Sequence, residues 1–224
     1  MIVKIKRQRD SESAPYWQSF SYTGAKHVTV SALLDALNYT DDLFDIEGNP
    51  ATRISWECSC MQSTCGGCAM VINGVPALAC ATFADSIKGE TLVLEPLSKF
   101  PVVTDLIVDR SIIYEHLIQA KAYLEDLAAN DKRQYEQQYS VAKCLKCGLC
   151  LEVCPNYLPG GDFYGAVLAN ESYLVASQSA DKNAPVIKEY KKHFGAGCSK
   201  ALSCQSVCPM EIETITSILR MNRK

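Results

Sequence analysis

A chain of 224 residues, 48% of them hydrophobic, is long enough for one large or two small domains with genuine cores. Its formal charge of −3, without any recurring basic stripe, excludes nucleic acid as a partner class. No run of about 18 apolar residues is present to span a membrane, and Met1–Asp10 lacks the apolar stretch of a secretory signal. The twelve cysteines are clustered and too sparse for a disulfide mini-scaffold, which favours metal chemistry in a reducing, cytoplasmic compartment. The sequons at Asn38 and Asn170 are accordingly read as chance matches.

Ile2–Arg7 alternates apolar and charged residues, the pattern of a half-buried strand. Lys4, Lys6, Arg7 and Arg9 are expected on its solvated face, with a membrane-surface or partner contact as the alternative. Trp17–Tyr22 is the expected hairpin partner. Val30, Leu33, Leu34 and Leu37 fall on one face of a short helix. Met70–Ala79 reads as two short strands joined at Asn73-Gly74, a strong two-residue hairpin signal. Thr91–Leu94 is a further strand. Two hairpins, one helix and a cysteine loop resemble the β-grasp of plant-type ferredoxins. From Ser111 the period changes: Ile113, Leu117, Ala120, Leu124 and Leu127 predict one helix with a core-facing stripe. Lys132–Gln138 is polar and predicts a helix end or surface link, and Tyr164–Ala176 and Ile212–Met221 predict further helices. The expected fold class is α+β: a β-grasp domain over residues 1–103, then an all-helical ferredoxin-type domain over 104–224, with the boundary between Pro96 and Arg110.

Eleven of the twelve cysteines form three spacing arrays. Cys60-x4-Cys65-x2-Cys68 with a distant Cys80 is the plant-type pattern for a [2Fe–2S] cluster. Gly66 and Gly67 let the loop backbone approach and aim N–H groups at sulfur. A structural zinc site is the competing reading, but zinc usually takes paired CxxC knuckles and this array holds one. Cys58 breaks the spacing and is expected to be a spare, buried thiol. Cys144-x2-Cys147-x2-Cys150-x3-Cys154-Pro155 is the bacterial ferredoxin run, whose fourth cysteine serves the neighbouring cluster. Cys144, Cys147 and Cys150 are thus expected to hold a [4Fe–4S] cluster together with Cys208. In the third array, Cys198-x5-Cys204-x3-Cys208-Pro209, Ala201 stands where a complete run carries cysteine. Cys154, Cys198 and Cys204 then supply three thiolates, which suits [3Fe–4S]; a four-iron cluster with one corner held by water or another residue is the alternative.

Taken together, a plant-type [2Fe–2S] domain followed by a helical [4Fe–4S]/[3Fe–4S] domain resembles the iron–sulfur subunit of succinate dehydrogenase and fumarate reductase. The resemblance extends to Cys65-Gly-Gly-Cys-Ala-Met-Val-Ile-Asn-Gly74, Leu94-Glu-Pro-Leu, Pro101-Val-Val and Asp105-Leu. It implies electron relay through the three clusters between an FAD-containing flavoprotein subunit, which interconverts succinate and fumarate, and a quinone at a cytochrome b-type membrane anchor. The chain itself would then perform no bond chemistry and lie peripherally on the cytoplasmic face of the membrane. The absence of a Gly-rich dinucleotide fingerprint fits a flavin on another chain. His27, His116 and His193 lack Rieske-type CxH pairing and read as ordinary surface or core residues.

This chain also departs from that family. Quinone-reactive members carry Trp soon after the Cys-Pro of the second array and often His after the first cysteine of the third. Here Pro155 is followed by Asn-Tyr-Leu-Pro-Gly-Gly, and Ser199 follows Cys198. Tyr157 is the candidate replacement for the aromatic contact. The competing readings are a related flavoenzyme acting on another unsaturated acid or using a soluble donor, and a free-standing ferredoxin shuttle.

Overall fold

The computed structural model describes residues 1–87, 89–125, 127–129, 132–181 and 184–223. The chain separates into two compact units, Met1–Asp109 and Arg110–Lys224.

The first unit is built on a five-stranded sheet of order β2-β1-β5-β3-β4. Its strands are β1 (Ile2–Arg7), β2 (Tyr16–Ser21), β3 (Ala69–Ile72), β4 (Val75–Leu78) and β5 (Thr91–Glu95). All neighbours are antiparallel except β1 and β5, which run parallel with Val3 opposite Leu92 and Ile5 opposite Leu94. Alternation sets the buried face: Val3, Ile5, Phe20, Leu92 and Leu94 are all buried. Asn73 and Gly74, at φ 45° and 79°, make the two-residue turn between β3 and β4, where both positions require the left-handed region. Helix α1 (Val30–Asn38) begins at Thr29, whose hydroxyl accepts from Ala32 N, and buries Val30, Leu33, Leu34 and Leu37. Its first turn grips the segment around Cys80 through Val30 N to Thr82 O (2.8 Å) and Ser31 N to Ala79 O (3.1 Å).

A small hairpin, β6 (Val102–Thr104) and β7 (Ile107–Val108), follows. Residues 104–109, expected in the second domain, belong to the first unit, and Asp105 is the reason. At the hairpin turn its carboxylate accepts from Gln8 N (3.0 Å) and Ser55 N (2.9 Å) and pairs with Arg7 Nη2 at 2.9 Å. Arg7, expected on a solvated face, is only 2% exposed and also donates to Gln18 Oε1 and to the carbonyls of Thr52 and Arg53. A charge-bearing period-2 pattern does not tell a solvated arginine from one with a partner far along the chain.

The second unit comprises α2 (Ser111–Gln119), α3 (Tyr135–Ala142), α4 (Leu149–Glu152), α5 (Gly165–Gln178), α6 (Pro185–His193), α7 (Ser203–Ser206) and α8 (Thr214–Met221). Helix α5 is buried on nearly every side, including Leu168, Ala169, Tyr173 and Ala176, and is the axis of the core. Helix α2 is shorter than its apolar period predicts. Ala120 N and Lys121 N bond back to His116 O and Ile118 O, and Lys121 then turns left-handed at φ 54°. Leu124 and Leu127 therefore leave the stripe, and Leu127 is 88% exposed. Asn38 bonds both ways to the backbone of Ile54, and buried Asn170 donates to Thr214 Oγ1, so both sequon side chains are engaged inside the fold. No helix among the described residues is long and apolar enough to cross a membrane.

Candidate metal centres

The first array occupies the loop between α1 and β3, with Cys80 just beyond β4. Met61, Ser63 and Gly66 are left-handed (φ 54°, 60° and 77°), which curls the backbone until its N–H groups face sulfur. Gln62 N and Thr64 N donate to Cys60 Sγ at 3.3 and 3.4 Å, and Ser63 N to Cys80 Sγ at 3.3 Å. Gly67 N donates to Cys65 Sγ and Cys80 N to Cys68 Sγ, each at 3.5 Å. Cys60 bonds to Cys65 through their side chains, and Cys68 Sγ lies 3.3 Å from Cys80 Sγ. The four thiols named from spacing thus converge. Hydrogen bonds from the Thr64 side chain first, then from the Gln62 and Thr64 backbone, lower the Cys60 thiol to about 6. Cys68, deeper in the unit, is pushed up to about 12, chiefly by burial. Cys58 is exposed rather than buried. Its place in the loop, two residues before Cys60, carries it to the surface.

In the second unit Cys144, Cys147, Cys150, Cys204 and Cys208 line one small cavity, which brings the last two cysteines of the chain to the ferredoxin run. Gly148, at φ 86°, makes the tight turn into α4 between Cys147 and Cys150. Burial raises all three thiols of the run. Cys144 reaches about 11 against the opposing Lys146 ammonium, while Cys150 is pushed well above the ordinary thiol value, with Cys144, Cys147, Cys204 and Cys208 adding negative charge. Cys204 is raised by burial first and then by the charges of Cys154 and Cys198. Lys200 N donates to Cys198 Sγ at 3.4 Å. Lys200 and Leu202 are both left-handed (φ 60° and 58°) and Ala201 between them is exposed, so the loop carries the position of the missing ligand out to solvent. Thiols gathered in this way, with donors aimed at sulfur, are a soft donor set of the kind iron–sulfur clusters use.

Several features had no sequence signal. Tyr157 is wholly buried, stands edge-on to His116 at 6.5 Å and has Cys150 beside it, so it belongs to the core rather than to an open aromatic face. The exposed apolar residue at that corner is Leu158. Ser199 donates to Asn156 Oδ1 at 2.8 Å and ties the two cysteine segments together. His116 and His193 sandwich Tyr164, with centroid separations of 3.8 and 4.0 Å, while exposed His27 pairs with Asp85 at 2.9 Å. Lys146, between two cysteines, forms a 2.6 Å ion pair with Glu171 of α5. A lysine inside a buried cysteine run was the available hint, but its partner lies in another helix.

Comparison with known proteins agrees with this geometry. Residues 2–115 match the model of a 2Fe-2S iron-sulfur cluster binding domain, and residues 140–212 match a 4Fe-4S dicluster domain. The succinate dehydrogenase iron-sulfur subunit of Bacillus subtilis is 31% identical across 98% of this chain and 90% of its own length. The fumarate reductase iron-sulfur subunit of Escherichia coli O6:H1 is 29% identical over 97% of this chain and 89% of its own. A chain of the Mycobacterium smegmatis Sdh1 complex in the apo form shares the fold, with a TM-score of 0.73 at 22% identity, covering 100% of this chain and 96% of that one. The first array is therefore a [2Fe–2S] domain, not a zinc knuckle. The chain belongs to the family of succinate dehydrogenase and fumarate reductase iron–sulfur subunits: it is the electron-transfer subunit of such an oxidoreductase, with [2Fe–2S], [4Fe–4S] and [3Fe–4S] clusters as its cofactors.

Proposed function

We propose that this chain relays electrons between an FAD-containing flavoprotein subunit, where succinate and fumarate are interconverted, and quinone at a membrane-anchor subunit. In this reading Cys60, Cys65, Cys68 and Cys80 hold [2Fe–2S], Cys144, Cys147, Cys150 and Cys208 hold [4Fe–4S], and Cys154, Cys198 and Cys204 hold [3Fe–4S]. Each cluster, when bound, supplies a one-electron site. The chain's own residues keep the thiolates in place, exclude water from the buried sets and aim backbone donors at sulfur, which tunes potential. The observation that supports the assignment is the place of Cys208 in the cavity of the ferredoxin run; Cys204 lines that cavity too, but the thiols that act on it most are Cys154 and Cys198. The chain would sit peripherally on the cytoplasmic face, bound through the anchor subunit.

The test uses the complex purified anaerobically through a tag on this chain. After stoichiometric reduction, fumarate should promptly reoxidise the iron–sulfur visible absorbance. Cys208→Ser should remove the [4Fe–4S] electron paramagnetic resonance signal and leave that of [2Fe–2S]. A [4Fe–4S] signal that survives this change overturns the ligand assignment, and a complex without a flavin subunit overturns the relay.

A further inference from the structure

The Lys146–Glu171 pair calls for a reason beyond stability. Both side chains are largely withdrawn from water, at 20% and 11% exposure. A buried ion pair is commonly no more stable than an apolar pair of the same volume, because desolvation offsets attraction. Lys146 also sits at φ 52°, a left-handed conformation that disfavours any side chain with a Cβ. That turn brings its Nζ to 2.6 Å from Glu171 Oε1 and 3.4 Å from Cys144 O. The arrangement has a direction. Lys146 lines the cavity shared by Cys144, Cys147, Cys150, Cys204 and Cys208, whereas Glu171 does not. Both charges reach the Cys144 thiol, the Lys146 cation with the larger and opposite effect.

We infer that Lys146, held in place by Glu171, raises the reduction potential of the cluster bound by Cys144, Cys147, Cys150 and Cys208. This rests on the ligand assignment proposed above. Reduction adds one electron and breaks no bond, making the site one unit more negative. A fixed positive charge facing it stabilises the reduced form more than the oxidised form. Glu171 orients the ammonium and partly offsets its field. Lys146 is a positioning residue in this role, acting on the cluster through space, and takes no part in ligation. Arg110, whose Nη1 lies 3.5 Å from Cys147 O, adds a second cation to the same ligand set and stays constant in the comparison.

The experiment is a potentiometric titration of the intact complex with dithionite, following the [4Fe–4S] and [3Fe–4S] resonances separately. Lys146→Met should lower the [4Fe–4S] midpoint by about tenfold in the redox equilibrium constant, which is about 59 mV for one electron. Glu171→Gln should raise it, by less. Lys146→Arg should stay within about threefold of the parent, because the charge is kept. The [3Fe–4S] midpoint should not move. No shift in Lys146→Met with its [4Fe–4S] signal intact overturns the inference. If that variant fails to assemble, a Glu171→Gln midpoint that stays put or falls overturns it instead. Failure of the ligand assignment reads out elsewhere, as a [4Fe–4S] signal that survives Cys208→Ser.

Discussion

In the sheet unit the cysteines sit on an irregular loop, and backbone N–H groups of Gln62, Ser63, Thr64 and Gly67 do the work of facing sulfur. In the helical unit the cysteines sit at the mouths of the short helices α4 and α7, and burial dominates their environment. The consequence shows in the thiols: donors bring the outer Cys60 down to about 6, while burial lifts Cys144 to about 11 and, on the inner side of the loop, Cys68 to about 12. Where donors reach an exposed sulfur, as at Cys60, thiolate is favoured without metal. A buried pocket needs iron to hold the charge there. The first unit also has a sheet that buries its own apolar face, whereas the second gathers its small helices around α5 and the cysteine pockets.

The largest test of this contrast is removal of iron. Chelation under mild oxidation should cost the helical unit most of its amide-exchange protection in α4, α5, α7 and α8, while β1–β5 stay protected; equal loss in both units would remove the distinction. Next in size is the clasp of the sheet unit. Asp105→Ala leaves the Arg7 guanidinium buried without its carboxylate, and breaking such a pair costs about 3–5 kcal/mol. Both tryptophans, Trp17 and Trp56, lie in this unit, so urea unfolding followed by fluorescence should show the loss while helical circular dichroism holds its midpoint. A smaller effect of about 1 kcal/mol is expected for Thr29→Ala, which removes the N-cap bond to Ala32 at the end of α1 that grips the Cys80 segment. A shift in the fluorescence midpoint measures it.

The subtlest effect is one of pH in the helical unit. Burial, with His193 nearby, lowers the His116 pKa below its ordinary 6.5. The unfolded chain therefore takes up this proton more readily than the folded one, so the contribution is fully present above 6.5 and is lost as pH falls below that value. Tyr157, Tyr164 and His193 pack around this ring, and Glu189 and Asp162 O face His193. His116→Phe should flatten the acid limb of stability followed by circular dichroism; an unchanged slope would show that other groups set it.

Legibility in the sequence followed the range of the interaction. The cysteine arrays are written as local spacing, so an iron–sulfur chain could be read before any fold was known, and the leucines of α1 and the Asn73-Gly74 turn are equally local. Apolar periodicity misled at α2, because Leu124 and Leu127 keep the rhythm after the left-handed Lys121 has ended the helix. Arg7–Asp105 and Lys146–Glu171 join elements far apart in the chain, and nothing local distinguishes those charges from solvated ones. The β6–β7 hairpin is too short to carry a period at all; the division after residue 103 falls inside it, while the expected interval from Pro96 to Arg110 contains the observed one.

The order of the strands also bears on how the protein is made. β1 and β2 emerge together and pair locally, but the other neighbour of β1 is β5, which leaves the ribosome only after some seventy more residues, β3 and β4 among them. Throughout that interval one side of β1 is a bare edge offering backbone hydrogen bonds to any strand nearby. Lys4 and Lys6 project from it, and in the finished fold they are settled against the Trp17 ring at 4.8 Å and Glu95 at 3.5 Å. Lysines on an edge strand discourage pairing with a stranger, and β1 carries two of them while that edge is open.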